Sequence, residues 1–185
     1  MVYVSGGNEL LDPEKIFKRL GIKAGMTVAD LGCGGAGHFV IPAGQTVGED
    51  GTVYAVDVVK SVLYSVATRA RSEGLKNIKT VWSDLEILGA TRIIPESLDA
   101  AFLINILFQS KQHEYIFKEA IRLLKPDGKL LVIDWGHNIS SLGPNATDRV
   151  KVQELKDIAN NLNLKLIEEF EAGTYHYGLI FQKQL

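Results

Sequence analysis

Apolar positions along this chain follow two spacings in alternation. Short unbroken apolar runs, each closed by an acid or an amide, are separated by stretches in which apolar residues return every third or fourth position. Unbroken runs predict strands buried on both faces, and the longer period predicts helices with one apolar stripe. The runs lie at 26–31, 52–57, 78–82, 98–104 and 129–134. Before them, Ile16, Phe17 and Leu20 stripe a helix that Asp12 and Pro13 open and Gly21 closes. Pro42 is tolerated only in a first turn, so the next helix begins no earlier than about residue 37. Val59, Val62, Leu63, Val66 and Ala70 stripe a third helix, closed by Gly74, and 86–96 reads as a short helix or a loop. Ser110 opens a helix carrying Tyr115, Ile116, Ala120, Ile121 and Leu124, and Pro126-Asp127-Gly128 turns into the fifth strand.

Strands alternating with helices at this pitch predict an α/β fold: a doubly wound, mostly parallel sheet with helices on both faces. The end of the chain differs. After a loop over 136–145 and a helix striped by Val152, Leu155, Ile158, Ala159 and Leu162, two runs at 164–170 and 175–181 flank Ala172-Gly173. Strands joined by so tight a turn are antiparallel. A length of 185 residues without linker or repeat predicts a single domain over 1–185, with 1–11 as an N-terminal arm that could serve as a lid.

Composition narrows the function classes. A net charge of −2 gives no overall basic footprint for nucleic acid. Cys33 is the single cysteine, which excludes an intrachain disulfide and a cysteine-based zinc cluster. The longest apolar stretch, 100–108, is broken by Asn105 and is too short to span a bilayer. No secretory pattern opens the chain, and a cytoplasmic location is expected.

The most informative stretch is Val28-Ala29-Asp30-Leu31-Gly32-Cys33-Gly34-Gly35-Ala36-Gly37. A strand ends in an acid, and glycines follow that can bring backbone close to a ligand at a helix start. Gly32, Gly34 and Gly37 fit G-x-G-x-x-G, and Asp57 follows Gly37 by about 20 residues, as in dinucleotide-binding folds. An NAD-dependent oxidoreductase is therefore one reading, and a glycine-rich turn without a ligand another. Further acids sit at successive strand ends: Asp57, Asp84 and Asp134, with Asn105 after the fourth strand. In a doubly wound sheet these ends face the ligand crevice. Carboxylates there suit a nucleoside bearing an amine, one gripping two ribose hydroxyls and another accepting from an exocyclic amine or ammonium.

These motifs together resemble the class I S-adenosylmethionine-dependent methyltransferases, in the small-molecule branch of ubiquinone/menaquinone-biosynthesis and type 11 enzymes. The resemblance covers roughly 10–183 and rests on 28–34, on 53–57, on Ser83-Asp84-Leu85, on 98–105 and on 123–130. It implies a Rossmann-like seven-stranded sheet of order 3-2-1-4-5-7-6 with an antiparallel last strand. It implies S-adenosyl-L-methionine as cofactor and S-adenosyl-L-homocysteine as product. Carried over by position, Asp30, Gly32, Cys33 and Gly34 hold the methionine part, Asp57 takes the ribose and Val58 packs on the adenine. Asp84 meets the adenine amine, Leu85 offers its backbone to the ring, and Asn105 lies by the reaction centre. The family's Gly-x-Gly-x-Gly departs here at Ala36, so Gly35 to Gly37 carry no assigned contact. A methyltransferase-like module that binds the cofactor without turnover remains a further alternative.

In-line methyl transfer demands alignment more than a nucleophile, so no catalytic residue is assigned. The acceptor reads as a small molecule in an apolar pocket built from Tyr3, Phe108, Trp135 and the loop around Pro144. Trp135, His137 and His176 are the candidate acceptor residues; His38 reads as a helix-start residue and His113 as a surface one. Cytosine-C5 chemistry is disfavoured because Cys33 sits in the glycine loop. Asn105-Ile106-Leu107-Phe108 is not the Asn-Pro-Pro-Tyr of DNA-amine methylation, and Asp134 alone does not make a magnesium site, so no metal is expected.

Overall fold

A computed structural model of the chain describes residues 8–136 and 142–184. Tyr3 and His137 lie outside the described residues. The seven strands are β1 (Thr27–Leu31), β2 (Thr52–Asp57), β3 (Ile78–Trp82), β4 (Leu98–Ile104), β5 (Leu124–Trp135), β6 (Leu164–Gly173) and β7 (His176–Lys183). They form one sheet in the order β3-β2-β1-β4-β5-β7-β6. β1 to β5 pair in parallel, and β7 is antiparallel to both β5 and β6. Five helices cover it: α1 (Pro13–Leu20), α2 (Val40–Val47), α3 (Lys60–Ser72), α4 (His113–Leu123) and α5 (Val152–Asn161). Fold class, strand order and the antiparallel tail match the sequence expectation.

Local chemistry explains the helix ends. The Asp12 side chain accepts from the Lys15 amide at 3.2 Å, and Pro13 takes the first helical position of α1. Gly21 closes the helix at φ +83°, where its amide and that of Ile22 both reach the Phe17 carbonyl. Pro42 falls in the first turn of α2, as its missing N–H requires.

The core divides at the sheet. Alternate residues of β4 point to opposite faces: Ala100, Phe102 and Ile104 pack with α1 and α2, and Ala101 and Leu103 pack with α4 and α5. On the first face Phe17 stacks on Phe102 with ring centroids 5.4 Å apart. On the second, Phe117 meets Phe181 edge-on at 6.1 Å.

Four boundaries differ from the sequence reading. α4 begins at His113 because the Ser110 hydroxyl accepts from the Gln112 amide in a local turn. Leu124 is not the end of that helix but the first residue of β5. Pro126-Asp127-Gly128 is a bulge inside β5: Leu98 pairs with Leu124, and pairing resumes at Ala100 with Lys129. The hairpin turns at 174–175, since Gly173 still pairs with His176. Residues 86–96 form neither helix nor strand and follow the loop alternative.

Asp99 fastens the amino edge of the sheet, remote from the ligand edge. Its carboxylate accepts from the Thr27 amide at 2.8 Å and the Lys125 ammonium at 2.6 Å. Asp99→Ala is expected to destabilise the protein by about 1–2 kcal/mol in urea unfolding while leaving S-adenosylhomocysteine affinity within about twofold. A large loss of affinity would break this separation of the two edges.

Candidate active site

The chain turns back on itself directly after β1. The Gly32 and Cys33 amides both donate to the Val56 carbonyl, at 2.8 and 3.0 Å, which folds the glycine loop over the end of β2. Gly32 sits at φ +87°, and a Cβ there would stand 2.5 Å from Ile106 Cγ2, so only glycine fits. Gly34 adopts φ +64°, and a Cβ there would meet nothing within 4 Å. That open space belongs to a cavity of about 940 Å³ at the carboxyl edge of the sheet. Its lining includes Gly32, Cys33 and Gly34 after β1, Asp57 and Val58 after β2, Asp84 and Leu85 after β3, and Asn105 after β4. Eight of the nine residues expected to hold the cofactor thus share one cavity.

The ninth, Asp30, lies beneath that lining. It is 2% exposed, and its Oδ2 has no hydrogen-bond partner among the described residues. Burial first, and the nearby Asp57 charge second, push its carboxyl up to about pKa 7. An acid held this way is primed for a positively charged or amine-bearing neighbour. Asp57 is half-buried and already engaged: Oδ2 accepts from the Gly34 amide at 3.1 Å and Oδ1 from the Val59 amide at 2.9 Å. It therefore sets the glycine loop, and a carboxylate with four lone-pair positions keeps capacity for two hydroxyls. Val58 is 54% exposed, a bare apolar side chain on the cavity wall. Asp84 accepts from the Glu86 amide at 2.9 Å, which shapes the turn after β3.

Asn105 adopts φ +55°, a strained backbone for any residue but glycine. Its amide donates to the Ile133 carbonyl at 2.8 Å, its Nδ2 to Asn8 Oδ1 at 2.9 Å, and its buried Oδ1 has no partner among the described residues. The buried Asp134 supports this loop from behind. Its Oδ2 accepts from the Leu107 and Phe108 amides and its Oδ1 from the Trp135 amide. Burial raises its carboxyl to about pKa 6 against those three donors. Asp134 is a loop support rather than a member of the cavity.

Trp135 and His176, the candidate acceptor residues within the described part of the chain, are buried and are not on the cavity lining, whereas Phe108 and Pro144 line it. His176 is 4% exposed, its ring packed against that of Trp135. His113 is no surface residue either: its ring packs between Glu154, at 2.6 Å, and the Leu107 and Ser110 carbonyls. His38 lines the cavity and contacts the Leu11 carbonyl at 2.9 Å. Sequence reasoning also missed Asn8, Glu9, Gly35 and Ala36 on the lining. Ala36 stands where the family pattern has a glycine, and its carbonyl accepts from the Arg69 guanidinium. Nothing local marks Asn8 or Glu9, since their role depends on the arm folding back.

Comparison with known proteins agrees with this geometry. The family profile described as a methyltransferase domain matches residues 22–174. A demethylmenaquinone methyltransferase from Lactococcus lactis is 27% identical over 123 residues, covering 66% of this chain and 47% of that protein. A ubiquinone/menaquinone biosynthesis C-methyltransferase from a Marinomonas species is 28% identical over 176 residues, covering 94% of this chain and 66% of that protein. The chain thus spans about half to two thirds of the length of these curated relatives. Among solved structures, a SAM-dependent methyltransferase from Aquifex aeolicus superposes with a TM-score of 0.86 at 28% identity, covering 96% of this chain and 92% of that one.

Proposed function

This chain belongs to the methyltransferase-domain family, and from that premise we propose that it uses S-adenosylmethionine to methylate a small apolar acceptor of the hydroquinone kind. One observation carries the proposal: the glycine loop, Asp57, Asp84 and Asn105 converge on a single cavity large enough for an adenosyl ligand and an acceptor together. The donor set fits the cofactor, because Asp30 Oδ2 and Asn105 Oδ1 are both acceptors with no donor among the described residues. Two of the relatives named above are a demethylmenaquinone methyltransferase and a ubiquinone/menaquinone biosynthesis C-methyltransferase, and the cavity wall adds Ile106, Phe108 and Pro144, an apolar surface suited to quinone rings.

When bound, S-adenosylmethionine supplies a methyl group already activated by its positively charged sulfur. What the chain must do is hold and align. Asp57 would accept from the ribose hydroxyls and Val58 cover one face of the adenine. Asp84 would accept from the adenine amine beside the Leu85 backbone. Asp30, with the Gly32, Cys33 and Gly34 backbone, would hold the methionine end, and Asn105 would fix it against the acceptor. Alignment of this sort can supply about 7–11 kcal/mol of the barrier without a nucleophile.

The test is transfer of a labelled methyl group from S-adenosylmethionine to a panel of reduced naphthoquinone and benzoquinone analogues. Labelled product with matching release of S-adenosylhomocysteine is the expected result. Cofactor binding without any transfer across hydroquinone, phenol and amine acceptors would instead support a binding module.

A further inference from the structure

At the carboxyl edge of the sheet, three polar atoms are buried without partners among the described residues. They are Nε1 of Trp135 and both ring nitrogens of His176. The two residues face each other across the β5–β7 pairing, their rings 4.4 Å apart and tilted by 38°. They are 2% and 4% exposed. Alternation from Ile133 and Ile180, both in the core under α1 and α2, puts the pair on that same face of the sheet. Buried polar groups are almost always satisfied, so three orphans in one place call for a ligand.

The pair is close to the cofactor cavity. A Cβ on Gly143 would come within 2.5 Å of the Trp135 ring, while the next residue, Pro144, lines the cavity. Gly143 and Pro144 are thus a thin partition between the two. Arg149 fastens the partition, donating to the Pro144, Gly136 and Leu142 carbonyls at 3.1, 2.7 and 3.0 Å. Burial and the Arg149 charge lower His176 to about pKa 4, so its imidazole is neutral near pH 7.

We infer that Trp135 and His176 together form the recognition site for one hydroxyl oxygen of the acceptor, a hydroxylated apolar ring. This rests on the methyltransferase reading above and deepens it. The indole N–H donates only, and a neutral imidazole has one nitrogen that accepts. A hydroxyl matches these two, accepting the indole N–H on its oxygen and donating its O–H to the accepting imidazole nitrogen; the imidazole N–H is left outside this pairing. An ammonium group would meet the indole donor and the Arg149 charge. A ketone could satisfy the indole but would leave the imidazole acceptor empty. Ile133, the next residue on the same face of β5, and Pro144 are apolar and suit the ring that carries the hydroxyl, which reaches the pair as the Gly143–Pro144 partition gives way.

The probe is 1-naphthol, compared with 1-methylnaphthalene, which has a similar shape but no hydroxyl. Both are titrated into the full chain saturated with S-adenosylhomocysteine. The wild type should bind 1-naphthol about tenfold or more tightly than 1-methylnaphthalene. His176→Phe and Trp135→Phe should each reduce that ratio severalfold while S-adenosylhomocysteine affinity holds. Equal affinities in the wild type, or an unchanged ratio in both variants, would overturn the assignment. If one variant fails to fold, the wild-type ratio and the other variant decide. Failure of S-adenosylhomocysteine to bind at all would sink the methyltransferase reading instead, a result separate from a flat naphthol ratio.

Discussion

Asp30→Asn is expected to make the free protein melt higher at pH 8 and, at that pH, to bind S-adenosylhomocysteine more weakly. The first half follows from burial. The folded protein holds the Asp30 carboxyl near pKa 7, against 3.8 in a solvated chain. Because the folded value is the higher one, the native state binds the proton more tightly than the unfolded state. Stability from this group is therefore greatest at low pH and is lost as pH rises from about 4 to about 7. Above pH 7 the buried charge costs the fold about 4 kcal/mol. Asparagine removes the charge, but its amide also needs partners, so the gain will fall short of that figure. Melting curves at pH 8 and pH 5 check the sign: the variant should lead at pH 8, and its lead should shrink at pH 5. A variant that melts lower at pH 8 would show that Asp30 is stabilised by a contact other than a ligand. The second half follows from the proposed contact with the cofactor's ammonium group, whose loss should cost about 1.5–3 kcal/mol of affinity. Stability and binding moving in opposite directions would mark Asp30 as a residue kept for its ligand.

Asp57→Ala should weaken S-adenosylhomocysteine binding by about 1.5–3 kcal/mol, roughly 10- to 150-fold. Two effects act together. The ribose hydroxyls lose their charged acceptor, and the Gly34 amide loses the Oδ2 that holds the glycine loop in place. The Val59 amide at the start of the next turn is released as well. All three groups lie at the cavity, so the fold itself should hold. Calorimetric titration with S-adenosylhomocysteine measures the loss, and a melting curve shows whether the fold is intact. An unchanged dissociation constant in a folded variant would mean that Asp57 neither touches the ribose nor shapes the loop that receives the cofactor.

Much of this molecule could be read from the sequence because its signals are local. β1, β2, β4 and residues 129–135 of β5 are apolar runs, and a parallel sheet buried on both faces imposes that pattern. The candidate site was legible for the same reason, since strand ends are where a doubly wound sheet gathers its ligand residues. What escaped depends on distant contacts. The Asn8 side chain matters only because it meets Asn105 across nearly a hundred residues of chain. Burial of His113 requires α5 to bring Glu154 beside it. The bulge in β5 reflects a register set by β4, whereas Pro126-Asp127-Gly128 alone reads as an ordinary turn. Asp134 resembled a site acid because it ends a strand, yet the neighbouring loop turned its backbone amides onto it.

The central claim is that the acids and glycines at the carboxyl edge are shaped to grip an adenosyl sulfonium. Calorimetric titration of the intact chain with S-adenosylhomocysteine, with NADH run in parallel, tests it most directly. Saturable S-adenosylhomocysteine binding that is weakened by Asp57→Ala, with no heat from NADH, is the predicted result. Saturable binding of NADH with none of S-adenosylhomocysteine would contradict the account.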